Sequence, residues 1–324
     1  MNVPYRLSVI GAGQLGSRHL QGLVRLSAVC EIHIVDPSAA SLEIARQRAA
    51  EVPESARHRL FFHQKIDQLP KSLDYAVVAT TADVRLSVLR ALLHNRTVPN
   101  LLLEKVLFQR ETDYDAAGEL LQKAGSRTWV NCPRRAFPIY DKLQTFFSDD
   151  ALQHVDVRGG DWGLGCNSIH FIDLIALLAG GTPHALSTQF LHPDLIDSKR
   201  VGFKEFTGTL LGCCGTAGFS LTATRGVTAP LLITFRGSSK SCIVDESAGR
   251  AFLHDPRGGW HTLEFQTPLL SELAMSIARR ILLEGTSVLT PYAQSVSYHL
   301  PMLQALGAHA SRYLGTTSDV CPIT

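Results

Sequence analysis

Gly11, Gly13 and Gly16 stand in a Gly-x-Gly-x-x-Gly run, a spacing that lets a chain turn under a phosphate group. The first glycine makes the tight turn, the second lets the backbone approach a pyrophosphate, and the third lets helix and strand pack closely. The first N–H groups of the helix that follows have no intrahelical acceptor and so bind phosphate oxygens, and Gly11, Gly13, Gln14, Leu15 and Gly16 are expected to contact the cofactor. In a chain with 25 glycines the triplet alone is a weak signal. Asp36 strengthens it. It ends the next apolar run, 20 residues beyond Gly16, where a carboxylate accepts hydrogen bonds from the adenosine ribose hydroxyls. The same charge repels a 2′-phosphate, which favours NAD over NADP. Arg46 and Arg48 soften that preference and leave NADP open.

Two further groups have the chemistry to move protons. Lys105 follows the apolar run 101–103. At the carboxyl end of a strand in an open parallel sheet it stands on the ligand side, where an ammonium stabilises developing alkoxide charge. By position alone it is equally a surface lysine closing a strand. His170 and Asp173 are three apart, and Cys166 and Asn167 precede His170 by four and three, so on a helix the four share one face. A histidine in such a polar notch suits proton transfer near neutral pH; otherwise it is a core histidine bonded to a neighbour. Asp173 orients His170, holds a substrate hydroxyl, or bonds backbone. Arg134 and Arg135 meet an anionic group or form a salt bridge. No feature calls for a nucleophilic Cys166. His19, His33, His63 and His299 show no metal spacing and read as surface or packing residues; no metal is expected.

These groups need a frame, and the hydropathy pattern supplies one. Short apolar runs at 7–10, 32–35, 75–79, 101–103 and 128–131 alternate with helical patterns at 17–26, 41–51, 84–93 and 113–123. That βαβ rhythm predicts a doubly wound parallel sheet with helices on both faces. Beyond it the style changes. One long helix over 164–178 is followed by alternating segments at 206–211, 218–224, 231–235, 242–245, 251–253 and 261–265, with Gly, Ser, Asp and Pro between them. This predicts an α+β domain with an open, largely antiparallel sheet, closed by helices at 269–283 and 292–312. The boundary is expected near Cys132–Pro133, giving domains 1–132 and 133–324. An open sheet is expected to present a broad apolar face that a second copy covers, hence a homodimer or homotetramer.

Composition narrows the class. The 324 residues are 45% hydrophobic and 19% charged, ordinary for about two globular domains. Lys plus Arg is 31 against 29 Asp plus Glu, a net +2 that offers no field for nucleic acid. No run reaches the roughly 18 apolar residues of a membrane helix. Seven scattered cysteines without a CxxC pair, and a first segment MNVPYRLSVIGAG unlike a secretory signal, point to reduced thiols in the cytoplasm.

The runs VIGAGQLGSRH, ATTADV, LLLEKV, WVNCPRRAFPIY and SIHFIDLIALLAGG together resemble the glucose–fructose oxidoreductase / inositol dehydrogenase (Gfo/Idh/MocA) family over nearly the whole chain. The family usually shows E-K-P where this chain has Glu104-Lys105-Val106. Many members show D-x-x-x-H followed by x-x-D in the long helix. Here His170 and Asp173 match, and Cys166 stands at the leading Asp. The resemblance implies an N-terminal Rossmann domain and a hydride transfer between NAD(P) and a sugar or similar polyol. It implies cofactor contacts from Thr80, Thr81, Glu104 and Lys105. Lys105 and His170 become the catalytic pair. Arg135, Trp162, Asn167 and Asp173, with Lys105 and His170, contact substrate; Trp162 stacks on a sugar or packs in the core. Two other readings stand beside this one. One is a non-redox enzyme that uses tightly bound NAD for transient oxidation and elimination. The other is a nucleotide-binding sensor without turnover, favoured by Cys166.

Overall fold

A computed structural model of the chain describes residues 4–314 and 319–324. In chain order the first part holds β1 (Tyr5–Ile10), α1 (Gln14–Leu23), β2 (Cys30–Val35), α2 (Ala39–Ala50), β3 (Arg59–His63), β4 (Tyr75–Val78), α3 (Arg85–Leu93), β5 (Asn100–Leu103), α4 (Glu111–Ala124) and β6 (Arg127–Val130). Next come α5 (Pro138–Phe146), β7 (His154–Gly159), α6 (Leu164–Ala179), β8 (Pro183–Leu191), β9 (Ile196–Asp197), β10 (Lys204–Glu205), β11 (Gly208–Cys214) and β12 (Ala217–Ala223). The last part holds β13 (Leu232–Arg236), β14 (Ser241–Asp245), β15 (Arg250–Asp255), β16 (Gly259–Glu264), α7 (Leu270–Glu284), β17 (Thr290–Pro291) and α8 (Tyr292–Leu314).

The chain forms two units, each discontinuous in sequence. The first takes residues up to Phe108, then Thr112–Pro133 and Pro268–Ala293; the second takes Gln109–Glu111, Arg134–Thr267 and the residues from Gln294 onward. Besides the switch after Pro133, near the cut expected at Cys132–Pro133, the chain passes between the units at four other points. Packing is the reason. α7 turns Leu273, Ala274, Ile277, Ala278 and Ile281 inward and lies on α1. Gly22 permits that contact, because a Cβ there would sit 2.4 Å from the Ser271 carbonyl oxygen. β17 adds antiparallel to β6, pairing Thr290 with Val130.

In the first unit the strands lie in the order β17-β6-β5-β4-β1-β2-β3, and β1 to β6 are mutually parallel. β1, β4 and β5 are buried on both faces, as a parallel sheet covered by helices requires. The strand order reverses between β1 and β4, the place where such sheets open a crevice at their carboxyl ends. β3 was not legible as a strand because Arg59, Leu60, Phe61, Phe62 and His63 are an edge and none of them is buried.

The second unit is built on an eight-stranded sheet in the order β16-β15-β14-β13-β7-β12-β11-β8. Every neighbouring pair is antiparallel except β7 with β12. Alternation sets the faces. Val155, Val157, Phe219, Leu221, Ile233, Phe235, Cys242 and Val244 are buried on one, and α6 packs there against β11 and β12. The other face is not the broad apolar surface expected. It carries Asp156, Thr209, Ser220, Thr222 and Thr234 beside Leu211, Ile243 and Phe252. No helix among the described residues is long and apolar enough to cross a membrane.

Candidate active site

The glycine loop assigns each glycine a separate reason. Gly11 has φ +92°, and a Cβ there would lie 2.9 Å from the Ala79 carbonyl group, so the turn after β1 presses on the backbone after β4. A Cβ on Gly16 would fall 1.7 Å from the Gly11 carbonyl oxygen. Gly13 is different: a Cβ there would meet nothing within 4 Å. The protein itself has no steric need of a glycine at that point, and the open space is what the approach of a pyrophosphate requires. Gly13 caps α1 with backbone alone, and the first turn of α1 carries no acidic residue. Its N–H groups are thus open to an anion. Gln14 is exposed and Leu15 half-buried at that helix start.

Asp36 ends β2 beside this loop. Its Oδ2 accepts from the Ala12 N–H at 2.7 Å and its Oδ1 from the Ser38 N–H at 2.8 Å. Two backbone donors fix the carboxylate beside the glycine loop. The two arginines expected to soften its preference are engaged elsewhere. Arg48 donates to Ser17 Oγ at 2.6 Å and to Gln14 Oε1 at 2.8 Å. The Arg46 guanidinium lies 4.0 Å above the Phe62 ring and 3.4 Å from Glu43. The loop, the helix start and the acid fit NAD.

At the carboxyl ends of the neighbouring strands, Thr80 and Thr81 are half-buried after β4, and Glu104 and Lys105 follow β5. Glu104 is 3% exposed. One of its oxygens, Oε1, meets His19 Nε2 at 2.7 Å and accepts from Asn131 Nδ2 at 2.7 Å. Burial alone would push this carboxyl up. The hydrogen bonds from His19 and Asn131, with the charge of Lys105, outweigh it and hold the pKa below the usual carboxylate range. Glu104 is thereby an internal brace beside Lys105, which is itself buried. His19, expected at the surface or in plain packing, is 1% exposed and belongs to this brace.

The second unit holds the other group of residues. Gly163, at φ +77°, turns the chain into α6. The Glu205 carboxylate accepts from the Gly165 N–H at 2.6 Å and the Cys166 N–H at 3.3 Å, capping that helix. Asn167 donates to the Trp162 carbonyl at 2.7 Å, and Trp162 Nε1 donates to the Thr222 carbonyl at 2.8 Å. Cys166, Asn167 and His170 are half-buried along one stripe of an otherwise buried helix, the polar notch expected from spacing. His170 keeps Nδ1 inside the protein. Asp173 is engaged by Arg135. Arg135 Nε lies 2.6 and 2.8 Å from its two carboxylate oxygens, and Arg135 Nη2 donates to the Asp173 carbonyl. With side chains 9% and 1% exposed, the two form a buried ion pair. Arg134 makes a half-buried ion pair, bidentate to Glu246 at 2.9 and 2.8 Å. Trp162 stands edge-on to Phe171 and lines a surface pocket with Gly160, Asp161, Gly226, Val227 and Thr228.

Spacing could not announce Asn131 or Glu205, because each acts on a residue distant in sequence. The only local signal was that Asn131 closes an apolar strand next to the one Glu104 closes. Among the described residues no cluster of three His, Cys, Asp or Glu could hold a metal.

Residues 5–132 match the family described as oxidoreductase family, NAD-binding Rossmann fold (GFO_IDH_MocA). No curated protein matches the chain. Solved structures do, at low identity, and show its fold. A UDP-N-acetylglucosamine 3-dehydrogenase from Acidithiobacillus ferrooxidans is 18% identical with TM-score 0.73, over 94% of this chain and 97% of that one. An oxidoreductase from Agrobacterium radiobacter, in complex with NAD+, L-tartaric acid and magnesium, is 14% identical with TM-score 0.74, over 96% and 97%. A Gfo/Idh/MocA family oxidoreductase from Vibrio cholerae is 14% identical with TM-score 0.70, over 96% and 100%.

Proposed function

Residues 5–132 belong to the Gfo/Idh/MocA oxidoreductase family as its NAD-binding Rossmann fold, and from that premise we propose that the chain is a dehydrogenase of a sugar or sugar derivative. The observation that carries the reading is the glycine loop, whose Gly13 faces open space while Asp36 is fixed beside it by two backbone donors. Bound there, NAD supplies a two-electron hydride acceptor. The chain's own residues then handle the proton and the charge. As the carbinol carbon loses hydride, its hydroxyl loses a proton. Nε2 of His170 is the atom that takes it, since Nδ1 is turned inward. The Lys105 ammonium stabilises the oxygen as charge develops on it, with the Glu104 carboxylate, held below the usual carboxylate range, beside it. In the reverse direction the same two groups return the proton and polarise a carbonyl.

Thr80 and Thr81 line the cofactor side in this proposal, and Asn167 and Trp162 the substrate side. Arg135 and Asp173 support the second unit's fold through their ion pair. A homodimer or homotetramer remains part of the proposal. Nucleotide-linked sugars are the first substrates to assay, because a similar structure is a UDP-N-acetylglucosamine dehydrogenase. Free sugars and sugar acids follow, each with NAD and NADP. On the substrate so found, Lys105→Ala and His170→Ala are each expected to lower kcat by about a hundredfold or more, the usual worth of such groups. Turnover intact in both variants would remove this assignment. Net accumulation of reduced cofactor separates a dehydrogenase from a non-redox user of NAD.

A further inference from the structure

We infer that Arg85 is the positioning residue for Lys105, a guanidinium clamp that fixes the backbone on which the lysine stands. This rests on the reading of Lys105 given above. Arg85 is the first residue of α3, where a long cation would ordinarily reach for water, yet it is 1% exposed. Its Nη1 donates to the carbonyl oxygens of Val106 and Leu107, the latter at 2.7 Å, and its Nη2 donates to the carbonyl oxygen of Thr80. These acceptors belong to two loops, one after β4 and one after β5, which are adjacent parallel strands. A planar guanidinium with five donors in a fixed fork can hold three carbonyls at once; an ammonium on a flexible stem cannot hold them in one geometry.

The clamp completes a bracket around Lys105. On one side the Glu104 side chain is tied to His19 and Asn131. On the other, the next two carbonyls, of Val106 and Leu107, are tied to Arg85. In the family this chain resembles, E-K-P puts a proline after the lysine, and a proline fixes its own φ. Val106 does not, so the restraint on this side comes from outside the loop. The third acceptor extends the tie to Thr80, whose backbone lies against Gly11. Arg85 thus joins the lysine's loop to the wall of the glycine turn.

The test uses the full chain and reads Lys105 directly. A buried amine is acylated only through local opening of its loop, so its labelling rate reports that opening. With a limiting amine-reactive ester, Arg85→Ala and Arg85→Lys are each expected to label Lys105 about tenfold faster than the parent, the size of one lost charge-assisted hydrogen bond. With the same ester the exposed Lys71 keeps its parental rate, and with a maleimide the buried thiol of Cys30, in the same unit, keeps its own. In turnover the loss falls on kcat rather than on the KM for NAD. Parental labelling of Lys105 in either folded variant overturns the clamp, as does a loss confined to NAD affinity. Exposure of Cys30 in both variants overturns it too, since Arg85 would then hold the whole unit. Labelling needs no substrate, so its failure leaves the functional reading standing. Unaltered turnover in Lys105→Ala removes that reading alone.

Discussion

Gly13 and Gly16 separate what the loop needs for its own fold from what a ligand needs. A methyl on Gly16 drives into the Gly11 carbonyl, whereas one on Gly13 enters open space. Gly13→Ala is therefore expected to keep the parental melting temperature and to weaken NAD binding at least about tenfold, because the methyl occupies the pyrophosphate's approach. Gly16→Ala is expected to lower the melting temperature as well. Equal NAD affinity in Gly13→Ala and parent, measured by calorimetry, would count against a phosphate at this loop. Asp173 makes the opposite case, of a polar residue spent on structure. Asp173→Asn leaves Arg135 buried without its counter-charge and is expected to cost about 3 kcal/mol by denaturant titration. Unchanged stability with lost turnover would return Asp173 to the substrate. The glycines and Asp36 were readable because the spacing of the loop, and of the acid after it, is itself the pattern of a phosphate-binding turn. Arg135 with Asp173 was not decidable, since both the ligand role and the salt bridge call for the same residue types.

Among the elements, the edge formed by β2 and β3 carries a pH dependence of its own. His33 Nδ1 lies 3.0 Å from His63 Nε2, with the rings stacked. Burial, and then the charge of His63, lower the His33 pKa from the usual 6.5 to about 4. The unfolded chain takes up this proton near 6.5 and the folded one only near 4. The neutral ring's contribution is therefore complete above pH 6.5 and is lost as pH falls toward about 4. Its size is roughly 3 kcal/mol at most. His33→Gln is expected to flatten the stability profile across that window, checked by melting temperatures at several pH values. A slope identical to the parent's would show that His33 does not carry it. Elements with a strong internal period were legible: α6 was placed within one residue of its observed end, and the βαβ rhythm gave the parallel sheet. β3 and β8 were not, because edge strands bury too little to leave an apolar run. β7 was missed although Val155 and Val157 alternate inward, a pattern too short to stand out.

For the whole molecule, the sequence order of the elements misled where the chain returns to an earlier layer. α7 and β17 lie late in sequence and complete the first unit, which no local pattern announces; only the fit of α7 at Gly22 does. The function class was legible because the cofactor half is compact in sequence, from Gly11 to Lys105. The identity of the substrate was not, because the residues proposed to meet it are ordinary polar groups on a buried helix. In the proposed reading the chain binds NAD on the glycine loop with Asp36 on the ribose. Calorimetric titration of the parent and of Asp36→Ala with NAD and NADP tests it most directly. NAD is expected to bind the parent at least about tenfold more tightly than NADP, and Asp36→Ala to lose that preference as the ribose acceptor and the repulsion of a 2′-phosphate both disappear. Binding of neither dinucleotide, or an equal preference in parent and variant, would rule out NAD on this loop with Asp36 as its ribose acceptor.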